Sequence, residues 1–201
     1  NFLKFHWWNT KIGMNNNFFE VLRPGINSTF QDLGRDNFYH IGLPFSGAMD
    51  QRNFLISNKL VNNHKDQAVL EFAYQGPLLK LNSKKLIFAI TGDVNFKIIK
   101  ENGISIQGDC YRTIELEQND KLDIISTNKS VYGYLAINGG FKLKKFLSSF
   151  STSTRAKIGA NDGQKIQINQ KVFLNEMKNI NLKINLNYVN SRIEFIRILK
   201  G

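Results

Sequence analysis

The sequence predicts a mainly β protein with one or two short helices, and three observations carry that expectation. Short runs of β-branched and aromatic residues recur between clusters of Gly, Asn and Asp. They are LIFAIT at 86–91, FKII at 96–99, RTIEL at 112–116, KLDIIS at 121–126, VYGYLAI at 131–137 and QKIQI at 164–168. RTIEL and KLDII alternate in polarity, as half-buried antiparallel strands do, because successive side chains point to opposite faces. Helical signals are confined to 51–61 and 142–148. Many short strands with few helices define a barrel or a sandwich.

The elements follow in order. Phe18 to Arg23 is an extended run closed by the turn former Pro24-Gly25. Asn27, Ser28 and Thr29 bond readily to their own backbone and read as a structured loop. Gln31-Asp32-Leu33-Gly34-Arg35 places a carboxylate and a guanidinium three residues apart across a glycine. They form either a local ion pair or a polar site in which Arg35 grips a carboxylate or phosphate in bidentate fashion. Ser46-Gly47-Ala48-Met49-Asp50 follows, small and flexible before an acid. Asp50 precedes the helical face Phe54, Leu55, Ile56, Leu60 and Val61 and suits its N-cap. Ala68 to Pro77, AVLEFAYQGP, is an apolar strand carrying the acid Glu71. Once buried, that acid would need a partner such as Arg35 or Arg155. VYGYLAI is continuously apolar, as a central strand is. Glu117-Gln118-Asn119-Asp120 reads as a hairpin turn, and Lys142, Lys144 and Lys145 as a solvated helix face.

The formal charge of +11 does not signal nucleic-acid binding, because lysines are scattered among acids and not arranged in a stripe with aromatics. A basic surface would still attract anionic small molecules. The single Cys110 has no intrachain disulfide partner and no adjacent cation to activate it, and it fits a reducing compartment. His6, His40 and His64 lack metal-ligand spacing. No phosphate loop of the G-x-x-x-x-G-K-(S/T) type is present.

The motifs point to a family. Pro24 to Arg35, PGINSTFQDLGR, followed by GLPFSGAMD at 42–50, resembles the start of the carboxyltransferase family also called allophanate hydrolase subunit 2. AVLEFAYQGP resembles its LE-x-x-x-x-GP segment, Ile90 to Asp93 its TGA(D) turn, and Tyr134 to Gly140 its YLAV-x-GG. Ser149 to Arg155, SFSTSTR, resembles GS-x-ST-x-x-R, and Asn58 to Asn63 resembles a helix end. The likeness covers roughly 18–174. Ser148 stands where the family has glycine, Ala160 replaces the second glycine of a pair, and Gln170 stands where an acid often occurs.

The resemblance implies a cyclophilin-like β-barrel and a function. Its members include the C-type component of 5-oxoprolinase, which with a B-type cyclophilin-like partner and an A-type hydrolase subunit opens 5-oxoproline to glutamate at the expense of ATP. A second implied function is carboxyl transfer to urea or a similar amide, with biotin carried on another chain. A third is a non-catalytic regulator that binds the B-type partner and so tunes a sensor histidine kinase. The site expected from these matches has Asp32, Asp50 and Glu71 as catalytic acids. Gln31, Arg35, Ser46, Ser151, Thr152 and Arg155 would bind substrate, with no metal. The expected partners exclude nucleic acid and membrane, and the expected location is the cytoplasm. The domain reading assigns 1–17 to a leader or leftover sequence, 18–190 to one carboxyltransferase domain and 191–201 to the start of a truncated second domain. On that reading the fragment alone is inactive, and the apolar strand at 192–199 favours self-association.

Overall fold

The computed structural model describes residues 17–178 and 184–186. The expectations for a leader before Asn17 and for a second domain at 191–201 lie outside them. Strands β1 (Phe18–Arg23) and β2 (Asn27–Gln31) precede the helix α1 (Gln51–Leu60). After the helix come β3 (Val69–Ala73), β4 (Leu78–Asn82), β5 (Lys85–Thr91), β6 (Val94–Ile99) and β7 (Ser105–Gln107). The order ends with β8 (Ile114–Glu117), β9 (Lys121–Thr127), β10 (Tyr132–Ile137) and β11 (Lys171–Phe173). Single 3-10 turns occupy Tyr39–Ile41 and Ala160–Gly163.

The strands form two antiparallel sheets. One runs β11-β1-β4-β9-β6-β7 and the other β2-β3-β10-β5-β8. Alternation decides what each face buries. Phe19 and Val21 of β1, Phe96 and Ile98 of β6, and Leu122 and Ile124 of β9 point into the space between the sheets. There they meet Phe30, Leu70, Phe72, Phe88, Ile90 and Leu135 of the second sheet. The outer face of the second sheet is buried too, under α1, where Phe54, Leu60 and Val61 pack on Val69, Ala89, Tyr134 and Ala136. Burial on both faces is the reason β3 and β10 read as continuous apolar runs. The mainly β class with one α-helix stands as predicted.

Several local expectations are corrected. Asn27 to Thr29 is not a loop but most of β2, because Ser28 and Thr29 pair with Phe72 and Glu71 while Phe30 enters the core. The strand ladder overrides the turn preference of Asn and Ser. The segment 142–148 is not helical. Lys142 N–H bonds the Phe173 carbonyl (2.9 Å) and Phe141 bridges Leu174, so the start of the segment is held beside β11, and Phe146 and Ser149 close a tight turn in which Leu147 and Ser148 have left-handed φ. The lysines there are exposed, but on no helix face. Residues 164–168 are not a strand. The Asn161 Nδ2 amide takes the carbonyls of Gln164 and Lys165, and Gln170 Oε1 takes the Gln167 N–H, so the ladder is diverted and the strand forms at β11 instead. Glu117 to Asp120 is a turn but not a hairpin. It carries the chain from β8 in one sheet to β9 in the other. The buried Asp120 carboxylate braces that crossing by accepting from Glu117 N–H (3.0 Å) and Lys100 Nζ (2.8 Å).

Arg23 locks β1 across the first sheet. Its Nη2 donates to Asp123 Oδ1 at 2.7 Å and to the carbonyls of Ile124 at 3.0 Å and Gly76 at 3.3 Å. The close approach at Gly76 leaves no room for a side chain, since a Cβ there would sit 2.4 Å from Ile124 Cγ2 and 3.1 Å from Phe72 Cδ2. Gly76→Ala is therefore expected to destabilise the fold by about 1–3 kcal/mol, the usual cost of overpacking a filled core. Urea denaturation measures it, and an unchanged midpoint would show that the two sheets part more easily than this packing implies.

Candidate functional site

The site grows from one cross-strand row. Thr29 pairs with Glu71, Glu71 with Tyr134, and Tyr134 with Thr91. Directly opposed residues share a face, so four polar side chains line the helix-covered side of the second sheet. The chain between β2 and α1 folds back over this row. Met49 N–H donates to Glu71 Oε2 at 2.8 Å, and Asp50 N–H donates to the Tyr134 hydroxyl oxygen at 2.6 Å. Tyr134 in turn donates to Glu71 Oε2 at 2.8 Å. Glu71 is 5% exposed, and both of its hydrogen bonds among the described residues go to Oε2, leaving Oε1 without one. Burial raises the pKa of its carboxyl group above the usual carboxylate value; the bonds from Met49 N–H and Tyr134 oppose the shift and the charge of Asp50 adds to it. Burial and the Glu71 charge likewise push the Tyr134 hydroxyl upward, so Tyr134 stays protonated.

Asp50 caps α1 as expected. Its Oδ1 accepts from Asn53 N–H at 3.0 Å and its Oδ2 from Asn53 Nδ2 at 2.6 Å. Asn53 Oδ1 accepts from Tyr111 Oη at 2.7 Å, which extends the polar chain along the base of the helix.

Asp32 anchors a second network. It is 5% exposed and accepts four hydrogen bonds. Gly34 N–H (2.9 Å), Ser149 Oγ (2.7 Å) and Ser151 Oγ (2.5 Å) reach Oδ1, and Phe150 N–H (2.6 Å) reaches Oδ2. Its backbone N–H donates to Ser151 Oγ, and its carbonyl accepts from Ala48 N–H, each at 3.0 Å. Arg35, only 2% exposed, donates to Ser46 Oγ at 3.1 Å and to the Ser151 carbonyl. Burial lowers its pKa and the nearby Asp32 charge opposes that shift. Gln31 Nε2 donates to Thr29 Oγ1 (2.9 Å) and the Thr152 carbonyl (3.0 Å), and Thr152 Oγ1 donates to the Ala160 carbonyl (3.0 Å).

The structure thus joins Gln31, Asp32, Arg35, Ser46, Ser151 and Thr152 in one network, and Asp50 with Glu71 in another. The Thr29–Glu71 register and the Ala48–Asp32 backbone bond link the two. Three expectations change. Asp32 and Arg35 form no direct ion pair. Arg35 is not free to grip an outside anion with its fork, because the guanidinium is buried and both Nη atoms are bonded internally, while Nε has no partner among the described residues. Neither arginine is the partner of Glu71; a tyrosine hydroxyl and a backbone amide serve instead. Arg155 lies outside both networks, exposed, with no ion pair among the described residues. Ser148, where the family has glycine, takes the left-handed φ of 63° that glycine adopts without strain.

Tyr134, Ser149, Asn53 and Tyr111 belong to these networks but were not expected from the sequence. The one available signal was a tyrosine in the middle of an apolar central strand, since a buried hydroxyl requires a partner. Among the described residues no group of His, Cys, Asp or Glu could hold a metal ion, and no helix is long and apolar enough to cross a membrane.

Known proteins share this fold. The chain is 32% identical over 164 residues to a urea amidolyase of Lachancea kluyveri, covering 79% of this chain and 8% of that protein. It is 28% identical over 148 residues to the C-type component of 5-oxoprolinase from Haemophilus influenzae, covering 74% of this chain and 46% of that one. The chain therefore spans half or less of these relatives. Among solved structures, the K. lactis urea amidolyase superposes with a TM-score of 0.73 at 30% identity, covering 83% of this chain and 10% of that one. TTHA0988 superposes with a TM-score of 0.75 at 26% identity, covering 87% and 34%. The family described as carboxyltransferase domain, subdomains A and B, matches residues 41–199, most of the chain, and the chain belongs to that family.

Proposed function

We propose that this chain is part of the C-type component of a 5-oxoprolinase that opens 5-oxoproline to glutamate at the expense of ATP, in the cytoplasm, with a B-type and an A-type partner. The observation that carries the reading is the buried Glu71, with a raised pKa, one unpartnered oxygen and a tyrosine hydroxyl on the other. Lactam hydrolysis breaks the ring C–N bond, places the hydroxyl of water on carbon and a proton on nitrogen. An amide is a poor electrophile, and ATP as co-substrate supplies phosphoryl activation of its oxygen with release of ADP; a second water then frees phosphate from the opened product. The ring nitrogen needs a proton as it leaves, and a carboxyl group whose burial favours the protonated form is suited to give it. In this reading Glu71 is the proton donor through Oε1, and Tyr134 and Met49 N–H fix its orientation. Asp50 sets the local charge and holds the start of α1 against Tyr134.

Asp32 and Arg35 are positioning residues in this reading. They fasten the loop that carries Ser46 and Asp50 to the wall formed by Ser149 to Thr152. In this reading Arg155, exposed and without an ion pair among the described residues, as is Arg52 at the start of α1, binds the substrate carboxylate. The match to urea amidolyases supports a second reading, carboxyl transfer to a small amide, with biotin brought by another chain. Stimulation of ATP hydrolysis by 5-oxoproline, measured on the full-length protein with both partners, tests the first reading; no stimulation sinks it. Urea-dependent carboxylation in place of it would establish the second, and binding of the B-type partner with neither activity would leave a regulator.

The raised Glu71 pKa fixes the sign of a pH effect. Below the ordinary carboxyl value of 4.5 the group is protonated in both folded and unfolded chains and costs nothing. As pH rises through the folded-state value, stability is lost, because ionisation is easier in the unfolded chain. Glu71→Gln removes this slope while keeping an acceptor. Its stability relative to the unaltered chain is expected to be greatest near neutrality and to decline as pH falls toward 4.5. Denaturant midpoints measured across that range would refute the assignment if the difference stayed flat.

Asp32→Ala should act on folding first. It leaves four buried donors without their acceptor, each costing about 1–3 kcal/mol, so a loss of at least about 3 kcal/mol is expected by denaturation. A stable Asp32→Ala protein lacking only turnover would instead make Asp32 catalytic. Arg155→Ala should leave stability within about 0.5 kcal/mol, as exposed substitutions do. In the assembled enzyme it should raise KM for the carboxylate substrate about tenfold, the worth of one charge-assisted bond. An unchanged KM would remove Arg155 from the site.

A further inference from the structure

We infer that the chain carries a binding pocket for a small phosphate-bearing ligand, separate from the Glu71 site. The pocket has a volume of about 490 Å³ and is lined by Asn27, Thr154, Lys157, Gly163, Gln164, Lys165 and Gln167. That volume is in the range of small-molecule sites, about 300–1,000 Å³. Its lining residues are two lysines, three amide residues, a threonine and a glycine, with no acid among them. Some surface cations are paired with acids, Lys85 with Glu115, Lys100 with Glu117 and Asp120, Arg112 with Asp109 and Arg23 with Asp123, whereas two lysines unpaired among the described residues line this one pocket. Lys157 and Lys165 have no acidic partner among the described residues, and the only bond of Lys165 Nζ among them is a 3.3 Å contact with the Ile26 carbonyl. Asp162, the nearest acid in the chain, lines a different cleft.

The frame of the pocket is built. Ser153 and Ile158 exchange two backbone bonds (2.9 and 3.2 Å) that close the 154–157 turn. Asn161 Nδ2 holds the Gln164 and Lys165 carbonyls at 3.0 and 3.2 Å, and Gln167 Nε2 holds the Lys165 carbonyl at 3.0 Å. The two walls meet at Gly163, where a Cβ would sit 2.1 Å from the Lys157 carbonyl carbon, so only glycine lets them come this close. Residues 161–163 all have left-handed φ, and backbone held in so sparse a region clusters at ligand sites. Two lysines act as point charges and match the double charge of a phosphate, whereas a lone carboxylate is matched by the arginine fork. Amides and a hydroxyl around them provide donors for the remaining oxygens.

None of the lining residues is Glu71, Tyr134 or Asp50, so the ring-opening reading and this one stand or fall separately. The test is binding, with no turnover required. Inorganic phosphate and pyrophosphate are titrated into the full chain by calorimetry and by 31P NMR, with glutamate as the carboxylate control. Saturable pyrophosphate binding is expected, weakened at least about tenfold in Lys157→Ala/Lys165→Ala, since one charge-assisted bond is worth that factor. The charge-matched control Lys59→Ala/Lys129→Ala, which removes exposed lysines elsewhere, should bind as the unaltered chain does. Absence of saturable binding, an equal loss in the control pair, or equally tight binding of glutamate would each overturn the proposal.

Discussion

The arrangement depends on the buried Asp32 carboxylate. A charge so far from water is tolerable only when its lone pairs are filled, and here two serine hydroxyls and two backbone amides fill them. Those donors come from two places distant in sequence, Gly34 just after Asp32 and the segment Ser149 to Ser151. Satisfying one carboxylate therefore fastens two loops together. The same fastening sets where Ala48, Met49 and Asp50 lie, because Ala48 N–H bonds the Asp32 carbonyl. Met49 and Asp50 are then within reach of Glu71 and Tyr134.

This division of labour explains why acids of similar chemical type end in different roles. Asp32 is saturated with donors and has no capacity left for a substrate. Glu71 has one oxygen engaged twice and the other without a partner among the described residues, in a place where burial favours the protonated form. Asp50 is spent on a helix N-cap, and its charge bears on Glu71 from there. Rigid strands hold Glu71 and Tyr134 in register, and a loop tied at both ends closes over them. Strand register and the tied loop together set the positions of the Glu71 and Tyr134 side chains.

Much of this was legible beforehand. The strands at 86–91, 96–99 and 121–126 declared themselves through alternation and β-branching, and Asp50 declared itself as a cap. The loop motif from Pro24 to Asp50 was distinctive enough to indicate the family. Where reading by propensity failed, a side chain had captured backbone or a distant strand had claimed it. Asn161 took the carbonyls that would have made 164–168 a strand, and at 142–148 a contact beside β11 and a tight turn closed by Phe146 and Ser149 replaced the helix its pattern suggested. Such captures depend on neighbours the local pattern does not register and leave no periodic trace.

The sequence by itself determined the mainly β class, the helix at α1 and the list of polar residues, because periodicity and cap chemistry are local. Tertiary structure alone decided which of those residues are saturated and which are free. Asp32 and Arg35 looked like the open site and are internal ties, while Glu71 looked in need of an arginine and is served by Tyr134. That choice rests on strand register and burial, which set the donors each charge meets. No spacing within a single stretch of chain encodes it.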